Sequence, residues 1–349
     1  MDEFFVVGLA AVIGLFLRWS FKTLPKEGWQ ILASIPLVRT GPSTWQGVNI
    51  TYYGLLIAIS VVVANAVMLL LLGALRIPLG HILVLQTLIF LICLPSARLI
   101  ARHVEKKHHT FSIGGTAFIG IFLSPCFIWL TNKLMTPLSS VSLPLIPTLA
   151  AMSIAYALGE GLGRVACISF GCCYGKSLDK TPSWVKKLFQ SYNFVFEGKT
   201  KKVSYEGGME GKKLIPVQGL TSVCYVAAGL IGMLCYLKGY YVTALGISLI
   251  TTQAWRAFSE ILRDDWRGGG RFSTYQYMAM TAVVCSVIFL WMAPVIPVSR
   301  PDFMFGILFL WDPAVIFELT GIGIVVFGYT GTSTVTTSEL KFYVVKERS

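Results

Sequence analysis

Continuous apolar runs of about 20 residues recur along this chain, each long enough to cross a hydrocarbon core of roughly 30 Å. Backbone amides and carbonyls inside lipid must pair within their own segment, so such runs fold as helices. A membrane strand would need about ten alternating residues per crossing, a pattern these unbroken stretches do not offer. The runs fall at about 4–19, 54–75, 81–100, 113–131, 145–166, 216–237, 241–262, 275–297 and 306–330. They predict an all-α polytopic membrane bundle, with about seven core helices and one extra helix at each end.

Composition agrees. Of 349 residues, 55% are hydrophobic and 13% charged, roughly half the charged share of a soluble domain. The start Met1-Asp2-Glu3 has no basic segment, and no small-x-small site follows the first run. That run is therefore expected to be retained as a helix or re-entrant segment. The net charge of +12 is explained by anionic lipid head groups and by loop bias, so no nucleic-acid partner is expected. The eight cysteines do not form a paired secreted-type framework. Cys93, Cys126, Cys224, Cys235 and Cys285 lie inside apolar runs, where a thiol behaves as a small hydrophobe.

One hydrophilic insert interrupts the pattern, at 176–214. Its Trp184, Phe189, Tyr192, Phe194, Phe196 and Tyr205 predict a small folded cap, because a flexible linker carries few aromatics. The expected organisation is an N-terminal extra helix and connection over 1–50, a membrane core with its cap over 51–297, and a C-terminal extra helix and tail over 298–349. With nine crossings, Arg76, Lys133, Lys238 and Arg300 share one side, and the remaining members of the 29 lysines and arginines share the other. By the positive-inside rule the crowded side is expected in the cytoplasm.

Two polar stretches lie on that crowded side. The first, Ala157 to Lys176, reads ALGEGLGRVACISFGCCYGK and brings Arg164 together with Cys167, Cys172, Cys173 and Tyr174 among small residues. Glycines there permit close helix approach or a broken helix lining a cavity. The second, Trp255 to Gly270, places Arg256, Glu260 and Arg263 on one helix face by their i, i+4, i+7 spacing. Each stretch has a bland reading, a packed helix end whose charges reach the interface. The functional reading is that charge at membrane depth marks a polar cavity. Two arginine-bearing segments meeting there suit a phosphate, since guanidinium forks match its oxygens and stay charged.

At these residues the chain resembles the prolipoprotein diacylglyceryl transferase family. The family's GRxGNFxNxExxG signature aligns with Gly163 to Gly175. TYYGLL at Thr51–Leu56 is similar to its WYG element, FSIGGTAFIG at Phe111–Gly120 to its HGG segment, and IPVQ at Ile215–Gln218 to its HPSQ. QAWRAFSEILR at Gln253–Arg263 resembles its GxFRxxxExxR, and Arg98 matches an arginine of the second helix. The resemblance spans roughly residues 50–297. It implies a seven-helix core that moves a diacylglyceryl group from phosphatidylglycerol to a lipobox cysteine, releasing glycerol phosphate. Carried over by position, Arg164 and Arg256 hold the lipid phosphate, supported by Glu260 and Arg263, while Tyr53, Arg98, Gly114, Gly115 and Gln218 line the substrate site. The family's site also faces the outer side of the cell (inner) membrane, opposite to the charge rule.

The departures are specific. Ile113 and Ile215 stand where the family has histidines, Cys167 and Phe170 where it has asparagines, and Cys172 where it has a glutamate. A thiol acceptor needs a base, and His108 and His109, five and four residues before Ile113, are the nearest in sequence; their bland reading is interfacial basic residues. Cys167, Cys172 or Cys173 could instead supply a thiolate activated by Arg164. No cofactor is expected. Cys172-Cys173 with Cys167 five residues earlier is not a zinc spacing, so no metal is expected either. The sequence thus predicts a membrane transferase using an anionic phospholipid and a lipoprotein precursor. The rival is a non-catalytic phospholipid-binding or transport protein on the same fold.

Overall fold

The computed structural model describes residues 1–105, 113–265, 272–292 and 299–348. Nine of its helices are 18 residues or longer: α1 (Asp2–Thr23), α2 (Tyr52–Ala74), α3 (Leu79–Glu105), α4 (Ile113–Met135), α5 (Leu145–Phe170), α8 (Val217–Leu237), α9 (Tyr241–Leu262), α10 (Thr274–Met292) and α12 (Pro313–Thr330). Between them lie the short helices α6 (Ser183–Phe189), α7 (Lys202–Tyr205) and α11 (Phe303–Leu310). The protein is a multi-pass all-α membrane bundle, as the apolar runs require. Eight of the nine long helices hold a stretch long and apolar enough to span a membrane. The exception is α9, where Thr251, Thr252 and Gln253 add to Arg256 and Glu260 in its C-terminal half.

One expected span is corrected. The run 306–330 is two helices, because Asp312 caps α12 by accepting from the Ala314 N–H at 2.8 Å and Pro313 takes the first helical position. Helix α11 lies at one end of the bundle against α2, where a Cβ on Gly306 would meet the Leu70 carbonyl oxygen at 2.6 Å. A second finding had no sequence precursor. Strands β1 (Ile31–Arg39), β2 (Thr44–Thr51) and β5 (Thr332–Lys341) form an antiparallel sheet in the order β1-β2-β5. The segments before and after the core are thereby joined. Buried Asn49 knits the sheet, accepting from Ser34 at 2.7 Å and donating to Thr336 at 3.1 Å.

Helix α5 is the centre of the bundle, packing against α2, α8 and α9. Contacts fix which loops share an end. Arg76 pairs with Asp302 at 3.2 Å and Lys238 with Glu3 at 2.6 Å, and Arg300 lies beside Gly239. The opposite end carries the sheet and the cap. Within the cap, β3 (Phe194–Val195) pairs with β4 (Lys213–Leu214), and Phe194 and Phe196 are buried. Trp184 and Tyr192 are exposed, so only part of the aromatic content that predicted a folded cap builds its core.

A buried lysine pins the cap to the bundle. Lys201 Nζ donates to the Leu24 carbonyl at 3.1 Å and to the Ser169 carbonyl at 2.6 Å, tying the cap to the ends of α1 and α5. Burial pushes its pKa down to about 8, with Glu27 and Glu197 acting in the opposite direction. An unfolded chain keeps this proton to about pH 10.4. Between the two values the unfolded state therefore binds more protons, and stability rises with pH. The expected result is a melting temperature that climbs between about pH 7.5 and about pH 10 by an increment missing from Lys201→Met, worth up to about 3 kcal/mol by the size of that shift. Parallel pH profiles for the two proteins would refute the assignment.

Candidate active site

Four turns of α5 set the geometry. Glu160 and Arg164 are one turn apart on the face toward α9, both buried. Arg164 Nη2 donates to Glu160 Oε1. From α9, Arg256 Nη2 contacts Glu160 Oε1 at 2.5 Å and Oε2 at 2.6 Å, and the Tyr156 hydroxyl at 2.9 Å. Two guanidinium groups thus converge on one carboxylate, leaving a net positive charge at membrane depth. Both Nε–H groups, of Arg164 and of Arg256, are buried without a hydrogen-bond partner. Close approach from α4 confines Arg256 further, since a Cβ on Gly114 would meet its Nη1 at 2.7 Å.

Arg263 ends the same face of α9. It forks onto Asp265 at 2.8 and 2.6 Å and reaches Glu260 at 3.5 Å. Its backbone is fixed by the signature segment itself. Gly175 and Arg263 form a β-bridge, Lys176 N–H donates to the Leu262 carbonyl at 3.0 Å, and Asp264 N–H to the Tyr174 carbonyl at 3.2 Å. Glycine is required at 175 because a Cβ there would sit 2.3 Å from the Ile215 carbonyl oxygen. Tyr174, just beyond α5, is buried beside Glu206 and Asp265, and burial pushes its hydroxyl up to about 12.

After α5 the chain turns sharply. Gly171 adopts φ +76° and Cys173 φ +57°, a left-handed conformation that a non-glycine residue adopts at a cost. The Gly171 and Cys172 N–H groups both donate to the Cys167 carbonyl, at 2.8 and 3.1 Å. This turn carries Cys172 and Cys173 back toward Cys167, and the three sulfur atoms lie within 4.8 Å of one another. Gln218 at the start of α8 holds the turn by donating to the Cys172 carbonyl at 2.8 Å, while its own Oε1 is buried without a partner.

These groups line two adjoining spaces that share Arg164, Cys173 and Arg256. A small polar cleft is bounded by Arg164, Cys173, Gln218, Arg256, Glu260 and Arg263. A cavity of about 2400 Å³ opens from the same arginines between α2, α3, α4, α5, α10 and α12. Its walls are mostly apolar, and Tyr53, Gly114 and Arg98 are among them. Tyr53 packs on Phe170, with ring centroids 5.5 Å apart. Arg98 lies over the ring of Tyr329 on α12 at 5.3 Å, so the C-terminal extra helix helps close this cavity. Gly115 faces Ile100 of α3, whose side chain a Cβ there would meet at 2.5 Å.

Residues 43–292 match the family described as prolipoprotein diacylglyceryl transferase. The chain belongs to this family. The match covers the seven core helices, and the segments outside it are α1, β1 and the C-terminal α11, α12 and β5. No curated protein sequence matches the chain.

The structure therefore brings Arg164, Arg256, Glu260, Arg263, Cys167, Cys172, Gln218, Tyr53, Gly114 and Arg98 to one pair of adjoining spaces. Two residues outside the predicted set belong with them. Glu160 is the shared partner of both arginines, and its signal was present as an acidic residue inside an apolar run four positions before Arg164. Asp265 clamps Arg263, a role that no spacing announces. His108 and His109 lie outside the described residues. Among the described residues, no histidine lines either space. His81 is buried and bonded to the Val141 carbonyl at 2.9 Å, and His103 contacts its own helix.

Proposed function

We propose that this protein is a membrane transferase that moves the diacylglyceryl group of phosphatidylglycerol to the thiol of a lipoprotein precursor at the cell (inner) membrane. The observation that supports it is the pair of buried guanidinium groups on Glu160, with both Nε–H donors unpartnered, at the polar end of a long apolar cavity. An anionic phosphate placed there receives charged, directional donors that are already held in position. The two acyl chains occupy the apolar length. Stabilising the phosphate as it departs is what an alkyl transfer with a glycerol phosphate leaving group requires. Incubation of the purified protein with glycerol-labelled phosphatidylglycerol and a lipobox peptide should release labelled glycerol phosphate and produce a lipidated peptide. Phospholipid binding without any product would replace this reading by the non-catalytic one.

The crowding of basic residues at the site end favours a cytoplasmic site by charge alone, whereas an exported acceptor needs the outer face. Part of that charge serves local purposes here. Arg164, Arg256 and Arg263 are buried and paired, Lys201 anchors the cap, and Lys202 pairs with Glu206 at 3.2 Å. With an impermeant maleimide on intact cells, Lys199→Cys is expected to label and Lys238→Cys is not. The reverse pattern would put the site in the cytoplasm and exclude an exported lipobox acceptor.

A further inference from the structure

Of the three cysteines of the signature turn, Cys167 is buried near the end of α5, and Cys172 and Cys173 are half-buried beyond it. All three line the large cavity beside the arginine pair. We propose that Cys167, Cys172 and Cys173 form a three-thiolate site for a thiophilic divalent metal, zinc by its chemistry, with the fourth coordination position open to the cavity.

Geometry carries the proposal. Sulfurs bound tetrahedrally at about 2.3 Å from zinc stand about 3.8 Å from one another. Here all three lie within 4.8 Å, so side-chain shifts of about 1 Å or less close them on an ion. The linear spacing hides this arrangement. The left-handed residues Gly171 and Cys173 fold the segment back on the last turn of α5. Charge fits as well. Three thiolates and a divalent ion make a complex of net charge −1. Arg164 Nη1 already reaches Cys173 Sγ at 3.7 Å, and Arg263 and Lys202 line the same spaces. Donors to coordinated thiolates are a usual outer shell of such sites. Zinc with three protein ligands and an open position is the catalytic form of the ion, and the closed structural form uses four.

The role of the site in transfer rests on the proposed transferase reading. Ile113 and Ile215 leave the family's histidine positions without a base. A thiol that binds the open position of a zinc ion loses its proton outright. The acceptor proton goes to solvent, and the metal-held thiolate forms a carbon–sulfur bond to the diacylglyceryl carbon. The carbon–oxygen bond to phosphate breaks, and glycerol phosphate departs with the electron pair. No oxidant and no side-chain base is required.

The test uses reduced, full-length protein in detergent, stripped by a chelator and titrated with zinc or cobalt(II). Binding of about one ion per chain is expected, with thiolate-to-cobalt charge-transfer absorption that changes on adding N-acetylcysteine amide as a probe of the open position. Cys172→Ser is expected to weaken binding by at least about 100-fold, and Cys235→Ser to leave it unchanged. Zinc should also protect the three thiols of the wild-type protein from alkylation, a readout independent of any variant's folding. Absence of stoichiometric binding, or unprotected thiols at saturating zinc, would overturn the site. Wild-type turnover of phosphatidylglycerol by metal-free protein would overturn its catalytic role while leaving the transferase reading intact. Metal binding without turnover would do the converse, sustaining the site and removing the transferase.

Discussion

Replacing Arg256 or Arg164 by lysine is expected to lower phosphatidylglycerol turnover about 100-fold to 1000-fold, the usual cost of losing a preorganised donor to a developing anion. The charge is kept, so the loss must come from geometry. Arg256 spends one nitrogen on Glu160 and Tyr156, at 2.5 to 2.9 Å, and still has its Nε–H for a ligand. A guanidinium does both at once because its donors diverge in a fixed plane. A lysine ammonium presents one point charge at the end of a flexible stem, and it would pair with Glu160 or with the phosphate. Arg164 meets the same demand from one turn of α5, and it also reaches the Cys173 sulfur at 3.7 Å. Release of labelled glycerol phosphate, measured beside lipid affinity, separates loss of the transition-state contact from loss of binding. Wild-type turnover in both lysine variants would remove the phosphate clamp from the mechanism.

How much of this was legible in the sequence follows from where each signal resides. Apolar length is a local property, so the crossings at 54–75 or 216–237 reappear as α2 and α8 within a few residues. The break at Asp312-Pro313 was legible as a capping pair, but the flanking apolar residues masked it. The sheet was not legible. Strand β5 reads TSTVTTSELK, a polar stretch with weak alternation, and it becomes a strand because β2 offers an edge from almost 300 residues earlier in the chain. Pairing over that separation leaves no periodic trace in either segment.

The site divides in the same way. Helical spacing put Arg256, Glu260 and Arg263 on one face, and the family signature put Arg164 opposite them. Which carboxylate receives the arginines could not be read from α9 alone. The resemblance implied Glu260 as a supporting residue, and it contacts Arg263 and Ser273, while Glu160 on α5 takes both Arg164 and Arg256. The choice is made by packing of α5 against α9, a tertiary fact. The cysteine cluster is a further case, because CxxxxCC encodes convergence only when two residues adopt positive φ.

The centrality of Glu160 gives the second large effect. Glu160→Gln keeps the shape and removes the charge, leaving two buried guanidinium groups facing one another without a counter-ion. Breaking a buried ion pair by neutralising one partner costs about 3–5 kcal/mol, and here two pairs share the lost carboxylate. The amide can accept from one arginine, but its NH2 group points a donor at the other. A clear fall in the melting temperature of the detergent-solubilised protein is therefore expected. A specific rescue should accompany it. Phosphatidylglycerol vesicles or micelles carry an anion able to take the vacated place between Arg164 and Arg256, so the lipid should raise the melting temperature of Glu160→Gln more than that of the wild type. A zwitterionic lipid should not. Turnover should stay low even with lipid bound, because the arginines then hold the phosphate without the carboxylate that orients them. A variant that melts like the wild type and gains nothing from the anionic lipid would show that Glu160 is a bystander, and the shared-carboxylate account of the clamp would fall with it.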